Sequence, residues 1–328
     1  MFDAFILAAG FGTRLRPLTH HRPKPLVPVC GVPLIRYTLA HAHHHGLRNV
    51  VLNAHHLHEQ VAAWAGIHEG VHVSVVTELP DILGTGGGLQ AVAGDMAPSF
   101  VVLNGDILHD VDLGALLEAM PEGGACMALR PDEQKRYGAV LADESQRVVR
   151  LVDLAQAEAS GAVRDGTHFT GIHAMSRRSL ESLDPGFSCI VRTVYSELVP
   201  QRQVAAHAHD GLWLDVGDPA AYLAANRAVL HGDIDHVFDP FRAAAYARSE
   251  RGEVGRGTGA HIDGAAWIGP GAAVGGATIR ESIVGADAVV AEGAELSGCV
   301  VWDGVYVGPG SYTDVVFLPD GCWQQEVA

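Results

Sequence analysis

Over the first 230 residues, short apolar runs alternate with amphipathic stretches. Phe5–Ala9, Asn49–Asn53, Val71–Thr77 and Phe100–Asn104 are rich in Val, Ile and Leu and predict buried strands. Leu34–His45, Glu59–Ala65 and Thr85–Ala93 lie between them with helical patterning. Further strands are predicted at Ala125–Leu129, Arg147–Val152, His168–Ala174 and Gly211–Val216, and a helix over Pro219–Leu230 closes the series. Strand-helix alternation of this kind predicts an α/β fold with a Rossmann-like, mainly parallel sheet covered on both faces.

Past His231 the periodicity fades, and Gly, Arg and Asp accumulate to about Gly257. This stretch reads as a linker with room for a short helix around Phe241–Ala247. Beyond it a different period begins. Ile262, Ile268 and Val274 are six apart, as are Val284, Val290, Leu296 and Trp302. A six-residue repeat predicts one short strand per face of a three-sided, left-handed parallel β-helix. The ten-residue gap between Val274 and Val284 implies a corner insertion. The expected division is a catalytic domain over 1–231, a linker over 232–258 and a β-helix over 259–328. An irregular antiparallel tail is the competing expectation.

The net charge is -16, which opposes a general nucleic-acid partner. The charge is unevenly spread, however. No acidic residue occurs between Asp3 and Glu59, whereas Arg14, Arg16, Arg22, Lys24, Arg36 and Arg48 fall in that window. Solvated faces would account for some of these; an anion site inside an acidic protein would account for all. Five scattered cysteines without a Cys-x-x-Cys pair argue against a disulfide framework or structural zinc and point to a reducing, cytoplasmic compartment. No apolar run approaches the ~20 residues of a membrane span.

The first predicted strand runs into Gly10-Phe11-Gly12-Thr13-Arg14. Glycines after a strand let backbone approach a phosphate closely. A dinucleotide fingerprint fails, because Leu15 stands where its third glycine belongs, and no P-loop Gly-Lys-Ser/Thr is present. The run LAAGFGTRLRPLTHHRPKPLVPVCGVPLI from Leu7 to Ile35 resembles the signature of the sugar-1-phosphate nucleotidyltransferases. The resemblance continues at Leu83-Gly84-Thr85-Gly86-Gly87-Gly88-Leu89, at Val101-Val102-Leu103-Asn104-Gly105-Asp106 and at Trp213-Leu214-Asp215-Val216-Gly217-Asp218-Pro219. It implies a nucleotide-diphospho-sugar transferase domain, to which a six-residue-repeat tail is commonly joined.

Carried onto this chain, the resemblance implies that an NTP and a sugar 1-phosphate are the substrates. Ala8, Ala9, Gly10, Gly12, Thr13, Arg14, Gly84, Thr85 and Gly87 would bind the nucleotide. Arg14, Lys24 and Asp106 would be catalytic, Asp106 and Asp215 would hold Mg2+, and Gly138, Asp153, Thr170 and Gly171 would face the sugar. The chemistry suits these residue types. A sugar phosphate with a second pKa near ~6 is already a nucleophilic dianion at neutral pH, so repulsion rather than proton transfer is the obstacle. Two negative charges ~4 Å apart cost about 4 kcal/mol at an effective dielectric of ~20. Each residue also has a plainer reading: an Asp after a strand is often a turn or cap residue, and Lys24 between prolines could be a solvated loop residue.

Two departures bear on the substrates. Where many relatives carry Glu-Lys-Pro on the sugar side, this chain has Asp153-Leu154-Ala155, so Arg150 is a candidate replacement for the missing Lys. Gly87 stands where thymine-specific relatives often carry Gln; a Gly there would leave room for guanine and also occurs in some uridylyl-transferring relatives. This loop together with a six-residue-repeat tail resembles the guanylyl-transferring members, which favours GTP with mannose 1-phosphate. UTP- or dTTP-dependent transfer to another sugar phosphate, a non-catalytic regulatory homologue and an acyltransferase-bearing tail are the alternatives. The histidine groups His41, His44, His45 and His55, His56, His58 read as surface enrichment rather than a metal site. The tail is expected to form a homo-oligomer, since short β-helices have exposed sides that a second copy buries.

Overall fold

The computed structural model describes residues 1–132, 137–152, 167–234, 236–240, 247–250 and 259–324. Two compact units emerge, and neither follows chain order. The first comprises Met1–Phe11, Thr38–Gly105 and His109–Trp213; the second comprises Gly12–Tyr37, Asp106–Leu108 and Leu214–Ala328.

The first unit is built on a ten-stranded mixed sheet. Its centre is parallel: Phe2–Leu7 pairs with Asn49–Ala54 on one side and Met96–Asn104 on the other, and Asn49–Ala54 pairs with Val71–Thr77. These strands are near-continuous apolar runs because both faces are covered; Ala4, Phe5, Ile6, Val50 and Leu52 are fully buried. Antiparallel strands complete the flanks, with Thr167–Ser176 pairing both Met96–Asn104 and Ala125–Pro131. Phe5, Leu89, Phe100, Met127, Met175 and Tyr195 belong to one buried cluster beneath the sheet. The helices Ile35–His44, His58–Trp64 and Gly84–Val92 lie where the apolar periodicity places them, within one residue at each end. In open sheets of this kind, ligands bind beyond the carboxyl ends of the parallel strands. Here those ends deliver Ala8, Asn53, Glu78 and Gly105.

In the second unit, the Pro219–His231 helix has textual markers at both ends. Asp218 caps it by accepting the Ala221 N–H at 2.9 Å, Pro219 occupies its first turn, and Gly232 ends it at φ 74°. The helix anchors the Pro28–Val29 and Val32–Pro33 hairpin: the Tyr222 hydroxyl donates to the Pro28 carbonyl at 2.6 Å, and the Cys30 N–H donates to Asn226 Oδ1 at 2.8 Å.

The tail of this unit forms three parallel ladders. Ile262 pairs with Ile279, which pairs with Leu296 and then Tyr312. Ile268 pairs with Val284, Val301 and Phe317 in turn, and Val274 with Val290 and Val307. Successive partners are sixteen or seventeen residues apart, so the chain returns to each ladder about once every three six-residue steps, less one or two residues. The ten-residue gap is therefore not a corner insertion. Ile279, fully buried, divides it into two five-residue steps. Val301 rather than Trp302 continues the second ladder, and the Trp302 indole instead donates to the Tyr222 hydroxyl at 3.1 Å. The linker also contains ordered structure, because Ala247–Glu250 pairs antiparallel with Ala265–Ile268. Residues 241–246 of the expected short helix lie outside the described residues, and Ala247 opens that strand.

Two buried histidines in the first unit create a pH dependence. His173, hydrogen-bonded to the Tyr195 hydroxyl, is pushed down to about 3 by burial; His41, bonded to the Val111 carbonyl at 2.8 Å, is pushed down to about 4 by burial and the neighbouring His45 and His44. Both are neutral when folded and titrate near ~6.5 when unfolded, so their contribution is complete above that pH and is lost as pH falls towards the folded values. Each should remove about 2 kcal/mol between pH 7 and pH 5. Urea unfolding at the two pH values is expected to show this loss, and His173→Leu should flatten the dependence.

Candidate active site

Gly12 opens the second unit in the left-handed region, at φ 59°. A Cβ there would meet Thr19 Cγ2 at 2.7 Å, and the Thr19 hydroxyl donates to the Gly12 carbonyl at 2.8 Å. Only glycine suits both the turn and the close approach. Thr13–Leu15 then form a single 3-10 turn whose buried Leu15 anchors it while Arg14 is exposed. Lys24 sits in a second such turn, Lys24–Leu26, closed by the Leu26 N–H donating to the Pro23 carbonyl at 2.8 Å.

Four predicted residues converge in this unit. The Lys24 ammonium donates to Asp106 Oδ2 and lies 3.9 Å from Asp215 Oδ1, while Arg14 Nη2 lies 3.6 Å from Asp215 Oδ2. The two aspartates are brought together by backbone, since the Val216 N–H donates to the Asp106 carbonyl at 3.1 Å. Lys24 is 12% exposed in its side chain and Arg14 is 69% exposed, so the lysine is an enclosed fixed charge and the arginine is open to solvent. Burial raises the Asp215 carboxyl above its ordinary range, and the Asp106 charge adds to this; Lys24 and Arg14 pull in the opposite direction. Gly217, not singled out from sequence, gives Arg14 its room: a Cβ there would stand 3.1 Å from both Arg14 Nη1 and Asp215 Oδ2.

In the first unit, Ala8 and Ala9 are buried and Gly10 is exposed with open space where a Cβ would be. The Ala8 N–H is already used, donating to Asn53 Oδ1 at 2.7 Å. That bond belongs to a network centred on Glu78, which is only 1% exposed. Its carboxylate accepts Asn53 Nδ2 at 2.8 Å and the Leu83 N–H at 2.7 Å. Glu78 thus ties the end of the first strand to the start of the Gly84–Val92 helix. Sequence reading missed it, because a charged residue after a strand looks like a surface residue until its partners are known.

The glycines of that helix serve packing. Gly84 is at φ 71°, and a Cβ on Gly87 would lie 2.1 Å from the Gly186 carbonyl; one on Gly88 would lie 2.6 Å from Glu78 Oε1. The Gly87 side-chain direction is filled by Gly186 and Leu83, so the argument that this glycine leaves room for guanine is corrected. Thr85 is likewise engaged, its hydroxyl accepting the Ile190 N–H at 2.9 Å.

On the expected sugar side, the Thr170 hydroxyl is buried and donates to the Ala128 carbonyl at 2.9 Å, a structural role for the side chain. Gly171, at φ 85°, lets the chain pass Asn104, whose Nδ2 would be 2.8 Å from a Cβ. Gly138 follows Tyr137, which stacks on His168 at 4.5 Å and meets the edge of Trp213 at 5.5 Å. The Trp213 indole donates to the Thr170 carbonyl at 3.0 Å. Arg150 is exposed on its strand, and Asp153 lies outside the described residues. Among the described residues no group of three or more His, Cys, Asp or Glu is placed to hold a metal ion, and no helix is long and apolar enough to cross a membrane. His41 is not at the surface but packs against His45 and His109, with ring centroids 4.6 and 4.8 Å away.

A parallel-centred α/β sheet with glycine-rich strand ends, together with a cationic turn facing two aspartates, defines a class of enzymes that handle phosphorylated nucleotides. Residues 3–232 match the family described as nucleotidyl transferase, and the chain belongs to that family; it is a nucleotidyltransferase. A mannose-1-phosphate guanylyltransferase of Mycobacterium tuberculosis is 31% identical over 317 residues, covering 94% of this chain and 82% of the relative. A UTP--glucose-1-phosphate uridylyltransferase of Synechocystis is 27% identical, covering 94% and 84% respectively. A probable mannose-1-phosphate guanylyltransferase 2 of Arabidopsis thaliana is 28% identical, covering 93% and 82%. In fold, the chain is similar to HddC from Yersinia pseudotuberculosis, solved complexed with GMP-PN, with a TM-score of 0.57 at 22% identity over 69% of this chain and 98% of that one.

The packing analysis yields a test. Gly87→Ala should lower stability by about 1–3 kcal/mol through overpacking against Gly186. Thermal unfolding monitored by circular dichroism checks this; an unchanged midpoint would show that the 186–190 segment yields freely.

Proposed function

We propose that this nucleotidyltransferase joins GTP to mannose 1-phosphate, giving GDP-mannose and pyrophosphate. The observation that carries the reaction class is the convergence of Lys24 and Arg14 on Asp106 and Asp215. The choice of substrates rests on the activities of the relatives, several of which are guanylyltransferases. The uridylyltransferase relative covers as much of the chain, which makes UTP with glucose 1-phosphate the second reading.

In this reading a phosphate oxygen of the sugar phosphate attacks the α-phosphorus of the nucleotide, and pyrophosphate departs. The nucleophile needs no base, so the protein's task is to hold negative groups together. Lys24 supplies a nearly enclosed positive charge beside the α-phosphate and sugar phosphate. Arg14, reachable from solvent, takes the β- and γ-phosphates, and the Gly10–Thr13 backbone lets them approach. The Gly84 loop is assigned to the base and the Gly138 and Gly171 segments to the sugar.

The aspartate pair fits Mg2+, which favours one or two carboxylates and completes its shell with water and substrate phosphates. Asp215, raised by burial and by Asp106, is where added positive charge would relieve crowding. Bound there, the ion would supply charge neutralisation between the phosphorylated substrates. Asp106 and Asp215 would hold it.

The three ladders of the tail support a left-handed parallel β-helix, and the free cysteines are compatible with a cytoplasmic setting. Ala273, Val289 and Tyr306 stand in register on one ladder and are all exposed, which supports association with a second copy of the chain. Val289→Arg combined with Tyr306→Arg should then reduce the size seen by gel filtration; an unchanged size removes that face from the assembly.

The decisive assay sets four nucleoside triphosphates against several sugar 1-phosphates with magnesium and measures pyrophosphate release. GTP with mannose 1-phosphate is expected to be the productive pair. Asp106→Asn should lower turnover by roughly 10²-fold or more while the unfolding midpoint changes little. Near-normal turnover would remove Asp106 from the machinery.

A further inference from the structure

Lys24 stands in a short segment gripped at both ends by the C-terminal half of its own unit. Two residues before it, the Arg22 guanidinium lies over the Trp302 ring, 5.1 Å from the centroid, and its Nη2 is 3.4 Å from Asp303 Oδ2. Beside Arg22, His21 Nε2 is 2.8 Å from Asp320 Oδ1. Four residues after Lys24, the Pro28 carbonyl accepts the Tyr222 hydroxyl at 2.6 Å, and the Trp302 indole N–H donates to that same hydroxyl at 3.1 Å. Trp302 is 2% exposed and Tyr222 is fully buried. One indole therefore reaches both flanks of the lysine, directly through Arg22 and by way of Tyr222 through Pro28.

The segment needs such support because its backbone offers little. Pro23, Pro25 and Pro28 lack an N–H, and the Leu26 and Val27 N–H groups bond back to the Pro23 and Lys24 carbonyls. Those local bonds shape the turn but do not orient it. The Leu34 N–H, donating to the Val27 carbonyl at 3.0 Å, and the contacts at its flanks do, the latter ending on Trp302, Asp303, Asp320 and Tyr222.

We propose that Trp302 and Arg22 are positioning residues for nucleotidyl transfer: the C-terminal strands hold the proline-rich segment so that the Lys24 ammonium stays at the Asp106–Asp215 pair. The inference rests on the role given to Lys24 above. It assigns the tail a task in turnover that is separate from any part in assembly.

The test uses the full chain with Arg22→Ala, Arg22→Lys, Trp302→Leu, the Arg22→Ala/Trp302→Leu double variant and, as a control, His231→Ala. The control removes a different tail contact, His231 with Glu281. Two quantities are read: kcat and KM by pyrophosphate release, and hydrogen exchange of the Leu26 and Val27 amides relative to Val102 in the sheet of the first unit. Arg22→Ala and Trp302→Leu should each lower kcat about 10- to 100-fold, with both KM values within about threefold. They should speed exchange at Leu26 and Val27 but not at Val102. Arg22→Lys should restore part of kcat, the double variant should be no worse than the poorer single one, and His231→Ala should match the parent.

Unchanged amide exchange, or faster exchange with unchanged kcat, would overturn the proposal. So would exchange that rises equally at Val102, since the contact would then be merely structural. Should Trp302→Leu fail to fold, the half-buried Arg22 keeps the test open through Arg22→Ala. If the parent chain releases no pyrophosphate with any substrate pair, the proposed reaction fails, and the amide exchange still decides whether the tail orders the segment.

Discussion

The Lys24 ammonium, set against two carboxylates, is the contact around which the second unit is organised. Asp106 and Asp215 come from segments more than a hundred residues apart, and a backbone hydrogen bond from Val216 to Asp106 holds them side by side. Two carboxylates at such separation repel unless positive charge stands between them. Lys24 supplies it from within, and Arg14 adds a second charge at the edge. Much of the local architecture serves that arrangement. Gly12 turns the chain tightly against Thr19, Gly217 leaves space for the arginine, and the hairpin after Lys24 is bolted to the Pro219–His231 helix. In the function proposed above, a site built this way would stabilise charge rather than move protons.

The first unit uses a buried carboxylate for a different purpose. Glu78 is satisfied by Asn53 and by the Leu83 N–H, and Asn53 in turn holds the Ala8 N–H. Breaking such a network would strand a buried charge, so its members are expected to be replaced together or not at all. The glycines near it follow the same logic. Gly86, Gly87 and Gly88 are small because Ser188, Gly186 and Glu78 occupy the space a side chain would need. A glycine-rich helix start that looks like ligand clearance in a linear reading is, in three dimensions, the seat of another loop.

The parallel centre of the sheet, the helix boundaries and the two aspartate-bearing segments were legible in the chain. Buried strands of an α/β sheet are continuous apolar runs, and Val71–Thr77 begins and ends where that run does. The tail was legible in period but not in register. Six-residue spacing identified the ladders, yet Ile279 escaped notice because two five-residue steps break the pattern, and Trp302 was placed on a ladder that Val301 occupies. Period survives in sequence because each ladder buries an aliphatic residue at most of its returns; register is set by which backbone pairs with which, and that depends on the strands before and after.

Residue types and their order were enough to specify the family and to single out Arg14, Lys24, Asp106 and Asp215, four residues that the fold brings together. They follow from the resemblance of the Leu7–Ile35 run and of the segments ending at Asp106 and Asp215 to the family's motifs; taken singly, each residue has a plainer reading. Only the tertiary structure decided that Asp215 is half-buried beside Asp106, that Glu78 is a buried tie, that Gly87 is closed by Gly186 and that Arg22 rests on Trp302. Each of those depends on groups far apart in the chain meeting at contact distance. Burial and long-range pairing are properties of the folded whole, and no window of sequence contains them.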